Sequence, residues 1–162
     1  MIHIGDFMYS NKLICDILEY IDNNINKEIS IDELSQLFYF DRYYIMKLFK
    51  KELNITIVNY IKNMRIYNSL KDYRYDNQIL RIALNNGFNS IEYYSETFKD
   101  ILKISPREYK YFIKRNNQLS LEKIITIRIS LANLQFLKDK SNAYKQNRAP
   151  EKNKFKILSI FK

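Results

Sequence analysis

The chain has 162 residues, 46% of them hydrophobic, and a formal net charge of +9 at neutral pH. That length fits one compact unit or two small ones, and ten Phe with fourteen Tyr supply material for a real core. Two Gly and two Pro are too few to punctuate a strand-rich fold, no apolar run reaches the roughly 18 residues of a membrane span, and a lone cysteine forms no internal disulfide. The start, Met1-Ile2-His3-Ile4, has no basic segment followed by an apolar one. No secretory leader is therefore expected, and a cytoplasmic location is.

Residues 1–10 read as a short N-terminal arm. Asn11 to about Asn24 reads as a first helix, because Ile14, Ile17, Leu18, Ile21 and then Ile25 recur at helical spacing. Ser30-Ile31-Asp32-Glu33 is a capping box that opens a short helix ending near Phe38. Asp41 can cap the next helix, from Arg42 to Leu53, and Asn54 follows where a left-handed C-cap is expected. Thr56 to about Tyr75 reads as a longer helix. At about 1.5 Å per residue it would span about 30 Å, close to the roughly 34 Å between DNA half-sites one turn apart.

Ile79 to Asn86 reads as the first helix of a second unit. Gly87 stands where a left-handed turn residue is wanted, and Ser90 caps a helix running to about Leu102. Ser105-Pro106-Arg107-Glu108 is a further capping box with proline at the first helical position. Ile124, Ile127, Leu131 and Leu134 recur at heptad-like spacing and predict a helix over 121–138; Ile124 to Ile129 alone also reads as a strand. Residues 141–154 read as a polar linker, and Phe155 to Phe161 as a short apolar ending.

One phrase is written twice. Phe49-Lys50-x-x-Leu53-x-Ile55-Thr56-x-x-x-Tyr60 returns 49 residues later as Phe98-Lys99-x-x-Leu102-x-Ile104-Ser105-x-x-x-Tyr109. Upstream, Ile31-x-x-Leu34-Ser35 returns as Ile79-x-x-Ile82-Ala83, and Phe40 as Phe88, with a shift of 48. The expected fold is therefore all-α: two helix-turn-helix subdomains (about 31–53 and 79–102) joined by a long linker helix (about 56–75). Together they make a unit over 11–117, followed by a C-terminal extension over 118–162 with a helix in it. Two such units can place two recognition helices in successive DNA major grooves.

The charge is uneven. Residues 1–102 hold 12 Lys and Arg against 14 Asp and Glu; residues 103–162 hold 15 against 4. Attraction to phosphates must come from local clusters and from the basic extension. On the first recognition helix, Ile45, Leu48 and Phe49 share the inner face, which leaves Arg42, Tyr43, Met46, Lys47 and Lys50 outward. Lys and Arg can bond guanine edges or phosphates, and Tyr and Met can touch thymine methyls. On the second, Tyr94, Phe98 and Ile101 point inward and Ile91, Glu92, Ser95, Glu96 and Lys99 outward. A glutamate accepts from cytosine N4 but is repelled by phosphates, so this helix is the weaker reader. The sole histidine, His3, lacks partners at metal-ligand spacing, and Cys15 sits beside an apolar stripe; no metal, cofactor or catalytic constellation is expected.

Residues from about Asn11 to Arg115 resemble the DNA-binding domain of the AraC/XylS family of bacterial transcription regulators. The resemblance rests on Ile31 to Phe49, on Gly87-Phe88-Asn89-Ser90-x-x-Tyr93-Tyr94-Ser95-x-x-Phe98-Lys99, and on Pro106-x-x-Tyr109-Lys110. It implies seven helices, an asymmetric promoter site of about two turns, and usually activation. By position it implies base contacts from Tyr43, Met46, Lys47, Ile91, Glu92, Ser95 and Glu96. It departs at Tyr39, where a Gly is common, at Ser35, which takes the place of the small residue packed between the helices, at Asn54, which stands where Gly is usual, and at Glu96. The chain resembles the standalone members, whose output follows protein abundance.

The main reading is a regulator, an activator of transcription, that binds double-stranded promoter DNA as a monomer without cofactor or membrane. Arg42, Lys50, Lys51, Lys99 and Lys110 are its phosphate candidates, and RNA polymerase is a further partner to consider. The alternative is a protein-interaction module that binds another regulator or RNA polymerase through the same scaffold. The 121–138 segment offers either a dimer seam or a cover for the chain's own core.

Overall fold

A computed structural model describes residues 4–76, 78–115 and 120–146. His3 and the apolar ending at Phe155 to Phe161 lie outside these, as does most of the expected polar linker. The described residues form eight α-helices and one 3-10 turn: α1 Ile4–Asn24, α2 Ile31–Phe38, α3 Arg42–Leu53, α4 Ile57–Ser69, the turn Asp72–Arg74, α5 Ile79–Asn85, α6 Ile91–Leu102, α7 Pro106–Arg115 and α8 Leu121–Lys145. The pairs α2–α3 and α5–α6 are the two expected helix-turn-helix units.

Local signals set most helix starts. Ser30 and Glu33 exchange both bonds of a capping box, and the Tyr20 hydroxyl ties the same Glu33 to α1. Asp41 accepts from the Tyr43 and Tyr44 amides at 2.8 and 3.2 Å. Thr56, Ser90 and Ser120 each accept from the amide three residues on. Ser105 and Glu108 repeat the capping box at α7, and Lys123 reaches Glu108 at 2.9 Å. The Lys123 bond, with the Ser105 backbone and side-chain bonds, holds the Glu108 carboxyl down at about 2.

Two buried clusters make up the interior. The first gathers α1 with α2 and α3 around Ile14, Leu18, Leu34, Ile45 and Phe49. The second surrounds Tyr73, Ile82, Phe88, Tyr94 and Phe98. Inside it, the Tyr94 hydroxyl lies 2.8 Å from that of Tyr73 and 3.0 Å from Ser69, so three buried polar groups satisfy one another. Burial pushes the Tyr94 phenol up to about 12 against the pull of those partners.

Three expectations need correction. The first helix begins at Ile4 rather than Asn11, so most of the supposed arm is helical; no proline interrupts this stretch, and extending an existing helix is easy compared with starting one. The linker helix is shorter than 56–75. Its 13 residues span about 20 Å rather than 30 Å. It tightens where the Leu70 amide bonds Tyr67 three residues back, and the chain then turns so that Tyr73, 1% exposed, enters the second core. Third, the last helix is no strand and does not stop at 138; it runs through Ser141 to Lys145, taking in the start of the expected linker.

Of the two roles left open for the extension, the structure favours the cover: helix α8 lies along both cores. Ile127 and Leu134 belong to the second cluster, whereas Tyr144 belongs to the first. The apolar stripe that offered a dimer seam thus faces the chain's own interior. Its polar contacts are as specific. Tyr60 donates to Ser141 at 2.7 Å, Cys15 to the Tyr144 carbonyl at 2.7 Å, Tyr144 to Glu52 at 2.9 Å, and Tyr67 to Gln135 at 2.6 Å. Asp22 on α1 takes Lys138 at 3.0 Å and also Lys145. Those two lysines are therefore structural, not free cations of a solvated tail.

A second joint links the units on another side. Arg65 of α4 donates to the Ile25 carbonyl at 2.8 Å and the Lys27 carbonyl at 2.5 Å. Gly87 lies against it with φ +78°, and a Cβ there would meet the Asn26 backbone at 3.0 Å. Both the left-handed backbone and the close approach require glycine at this turn.

Two consequences are measurable. Burial raises the Asp22 carboxyl, but the bonds from Lys145 and Lys138 outweigh that and leave it below its ordinary value. An acid of this kind stabilises the fold fully above its unfolded pKa of about 3.9 and loses that contribution as pH falls through its folded pKa. Asp22→Asn should cost about 1–2 kcal/mol in urea melts at pH 7, with the gap from the parent shrinking below about pH 4. Tyr39, 93% exposed, sits in the left-handed region at φ 60°. Tyr39→Gly should raise stability by about 0.5–1 kcal/mol, and Asn54→Gly by less, since asparagine tolerates that region better.

Candidate nucleic-acid interface

The two second helices of the units, α3 and α6, present matching outward faces. Ile45, Leu48 and Phe49 anchor α3 in the first core, and Tyr94, Thr97 and Phe98 anchor α6 in the second. Rotation of each helix is therefore fixed by three buried side chains on one stripe. Because the copies are offset by 49 residues, Tyr43, Met46, Lys47 and Lys50 occupy the places of Glu92, Ser95, Glu96 and Lys99.

The structure places Arg42, Tyr43, Met46, Lys47, Lys50 and Lys51 all on the exposed side of α3. Tyr43 is 68% and Met46 43% exposed, which is high for side chains that gain from burial and leaves them available for contact. The Lys47 ammonium lies 6.0 Å from the Tyr43 ring centroid, so those two side chains form one patch. Arg42 is engaged within the protein: it bonds Asp32 of α2 at 2.8 Å and braces the turn from outside. Lys50 bonds the Asn54 carbonyl at 3.1 Å, a natural place for a cation at a helix C-terminus. Lys51 pairs with Glu52 at 3.6 Å. Each of these cations remains exposed, and none is locked away by burial.

On α6, Glu92, Glu96 and Lys99 are exposed, whereas Ile91 and Ser95 are half-buried. Lys110 stands apart, half-buried on α7. Ile101, expected to point inward, is half-buried beside the second core. Electrostatics separate the two faces: four cations ride on α3, and the acids near it are turned to other tasks. Asp41 caps, Asp32 pairs with Arg42, and Glu52 receives Tyr144. Among the described residues, no comparable contact neutralises Glu92 or Glu96.

Some surface groups escaped the sequence reading. Tyr93, 41% exposed, stands on the outer side of α6 with the Lys62 ammonium of α4 5.4 Å from its ring centroid. The position of Tyr93 on the helix was readable, since it precedes the core residue Tyr94; its pairing with Lys62 depends on how α4 and α6 cross. Phe40 and Tyr44 stack at 5.4 Å beside the first turn, both partly exposed.

Comparison with known proteins agrees with this geometry. A helix-turn-helix domain profile matches residues 34–111. The chain is 28% identical over 109 residues to the HTH-type transcriptional regulator YbfP of Bacillus subtilis, whose own function is uncharacterized; that match takes in 67% of this chain and 37% of YbfP. It is 28% identical over 114 residues to the HTH-type transcriptional activator AarP of Providencia stuartii, which covers 70% of this chain and 84% of AarP. A transcriptional regulator of Chromobacterium violaceum with an AraC-type DNA-binding domain superposes with a TM-score of 0.55 at 21% identity, over 70% of this chain and 99% of that one. The chain carries a helix-turn-helix domain similar to those of these transcription regulators. The relatives differ in length: the chain spans barely over a third of YbfP but most of AarP. The profile match ends at residue 111, so α8 lies beyond it.

Proposed function

We propose that this protein regulates transcription by binding promoter DNA, with α3 as its principal reading helix and α6 as a weaker second contact. The observation that carries the reading is the pairing of two equivalent exposed faces, one basic and aromatic, the other acidic. Tyr43, Met46 and Lys47 supply donors and apolar groups for base edges, and Arg42, Lys50 and Lys51 flank them within reach of phosphates. Glu92 and Glu96 raise the cost of bringing α6 near phosphates, so its contribution is restricted to bases that offer a donor, such as cytosine. Lys99 is the one cation within α6 itself and partly offsets the two acids.

Similarity to AarP, a named activator, favours activation as the outcome of binding. The protein binds as a monomer in this account. The helix that offered a dimer seam spends its apolar stripe on the chain's own cores, and the duplicated units supply two reading heads without a second copy.

Equilibrium binding against salt tests the proposal. With about four to six phosphates neutralised, log K against log salt should fall with a slope of roughly −4 to −5. On a selected duplex Lys47→Ala should weaken binding about tenfold or more, with a smaller loss on random sequence. Equal losses on both duplexes would make Lys47 a phosphate contact, and a flat salt dependence would remove DNA as the partner.

A further inference from the structure

We infer that the cleft between the end of α4, α7 and the start of α8 is a binding site for a small organic phosphate with a flat apolar body. It is a cavity of about 1000 Å³ formed where the end of α4, the 3-10 turn and α7 meet the first turns of α8. Sites of a few hundred to about 1,000 Å³ with apolar walls and a few polar groups are the usual size and make-up of small-molecule pockets.

Three features of its lining fix the ligand's chemistry. Leu70, Phe112, Ile113 and Ile124 supply apolar wall, which selects a hydrophobic or aromatic body. Lys71, Arg74, Lys114 and Arg128 supply positive charge, and no acidic residue among the described ones lines the cavity. Lys71, Arg74 and Arg128 are exposed, and none of these three takes part in an ion pair among the described residues. That distinguishes them from Lys123, Lys138 and Lys145 of the same helix α8, each paired with a carboxylate. Two guanidiniums and an ammonium match a phosphate dianion better than a singly charged group, since each guanidinium can donate two parallel bonds.

The third feature is Tyr109. The residue is only 7% exposed and its ring packs on Tyr73 and Phe98. Its hydroxyl takes no hydrogen bond among the described residues, where no buried side-chain polar atom is left without a partner, so the oxygen opens onto the cavity that the residue lines. The neighbouring hydroxyls of Tyr73 and Tyr94 are both bonded. The phenol oxygen is therefore a solvent-accessible donor that a ligand in the cavity can engage. Arg74 lies close enough to pull against the upward push that burial gives the Tyr109 phenol, so donor and cation face one space.

This inference does not rest on α3 reading bases, and its test uses no DNA in the main arm. The full chain is titrated with 1-naphthyl phosphate, beside inorganic phosphate and 1-naphthol, by calorimetry or fluorescence. Saturable one-to-one binding of 1-naphthyl phosphate is expected, at least about tenfold tighter than either fragment, because both halves of the site are used. Arg74→Gln combined with Arg128→Gln should weaken it about tenfold or more, and Tyr109→Phe severalfold with no loss of thermal stability. Absence of saturable binding, or equal affinity in the parent and the double variant, would overturn the assignment. So would competitive displacement of the probe by a random-sequence duplex, which would give these cations to nucleic acid instead.

Discussion

Neither helix-turn-helix unit closes its own core. Each is a pair of short helices with one apolar side, and units of that size cannot bury enough surface to stand alone. The structure solves this by sharing. Helix α4 gives Ile57, Tyr60, Ile61 and Met64 to the first cluster and Ile66 to the second, and α8 gives Tyr144 to the first and Ile127 with Leu134 to the second. The rest depends on this double bridge. The direction in which α3 and α6 face is set by their buried stripes, and those stripes are seated against α4 and α8. Asp22, bonded by two lysines of α8, and Ser141, bonded by Tyr60, fix the register of the outer bridge with polar groups that tolerate little sliding.

A rigid frame changes what the short linker helix means. A 20 Å helix alone would not hold two heads one DNA turn apart. With Arg65 and Gly87 closing one side and α8 the other, the distance between the heads is a property of the whole molecule and not of α4. The two faces held in this way are chemically unequal. Position for position, Tyr43 and Lys47 on α3 are replaced by Glu92 and Glu96 on α6. The repeat preserved the buried stripe, which packing dictates, while the exposed positions diverged, since only a partner constrains them.

What the sequence reveals and what it hides follow from range. Ser30, Asp41, Thr56, Ser90 and Ser105 announce helix starts because each acts on amides two or three residues away. Gly87 announces its turn for the same reason, and the outward face of α3 follows from helical spacing. The apolar stripe of α8 left a dimer seam and a cover for the core equally open, and its polar contacts are invisible in this way. Lys138 and Lys145 look like charges of a solvated tail until Asp22, more than a hundred residues away, is seen between them. The end of α4 carries no breaker before Asp76; the chain turns there because Tyr73 is drawn into a core assembled from distant segments. At Tyr39 the missing glycine is plain in the sequence, but that a tyrosine takes the left-handed geometry there is not.

The central claim is that one rigid body presents a strong reading helix and a weak one. Selection of bound duplexes from a random pool, with the intact chain at about 0.15 M salt, tests it most directly. The account predicts an asymmetric motif: one well-defined box, and a weaker box at a single fixed spacing of about one helical turn. Two equally strong boxes, or boxes whose spacing varies from one selected duplex to the next, would contradict it. So would the absence of enrichment from protein shown to be folded.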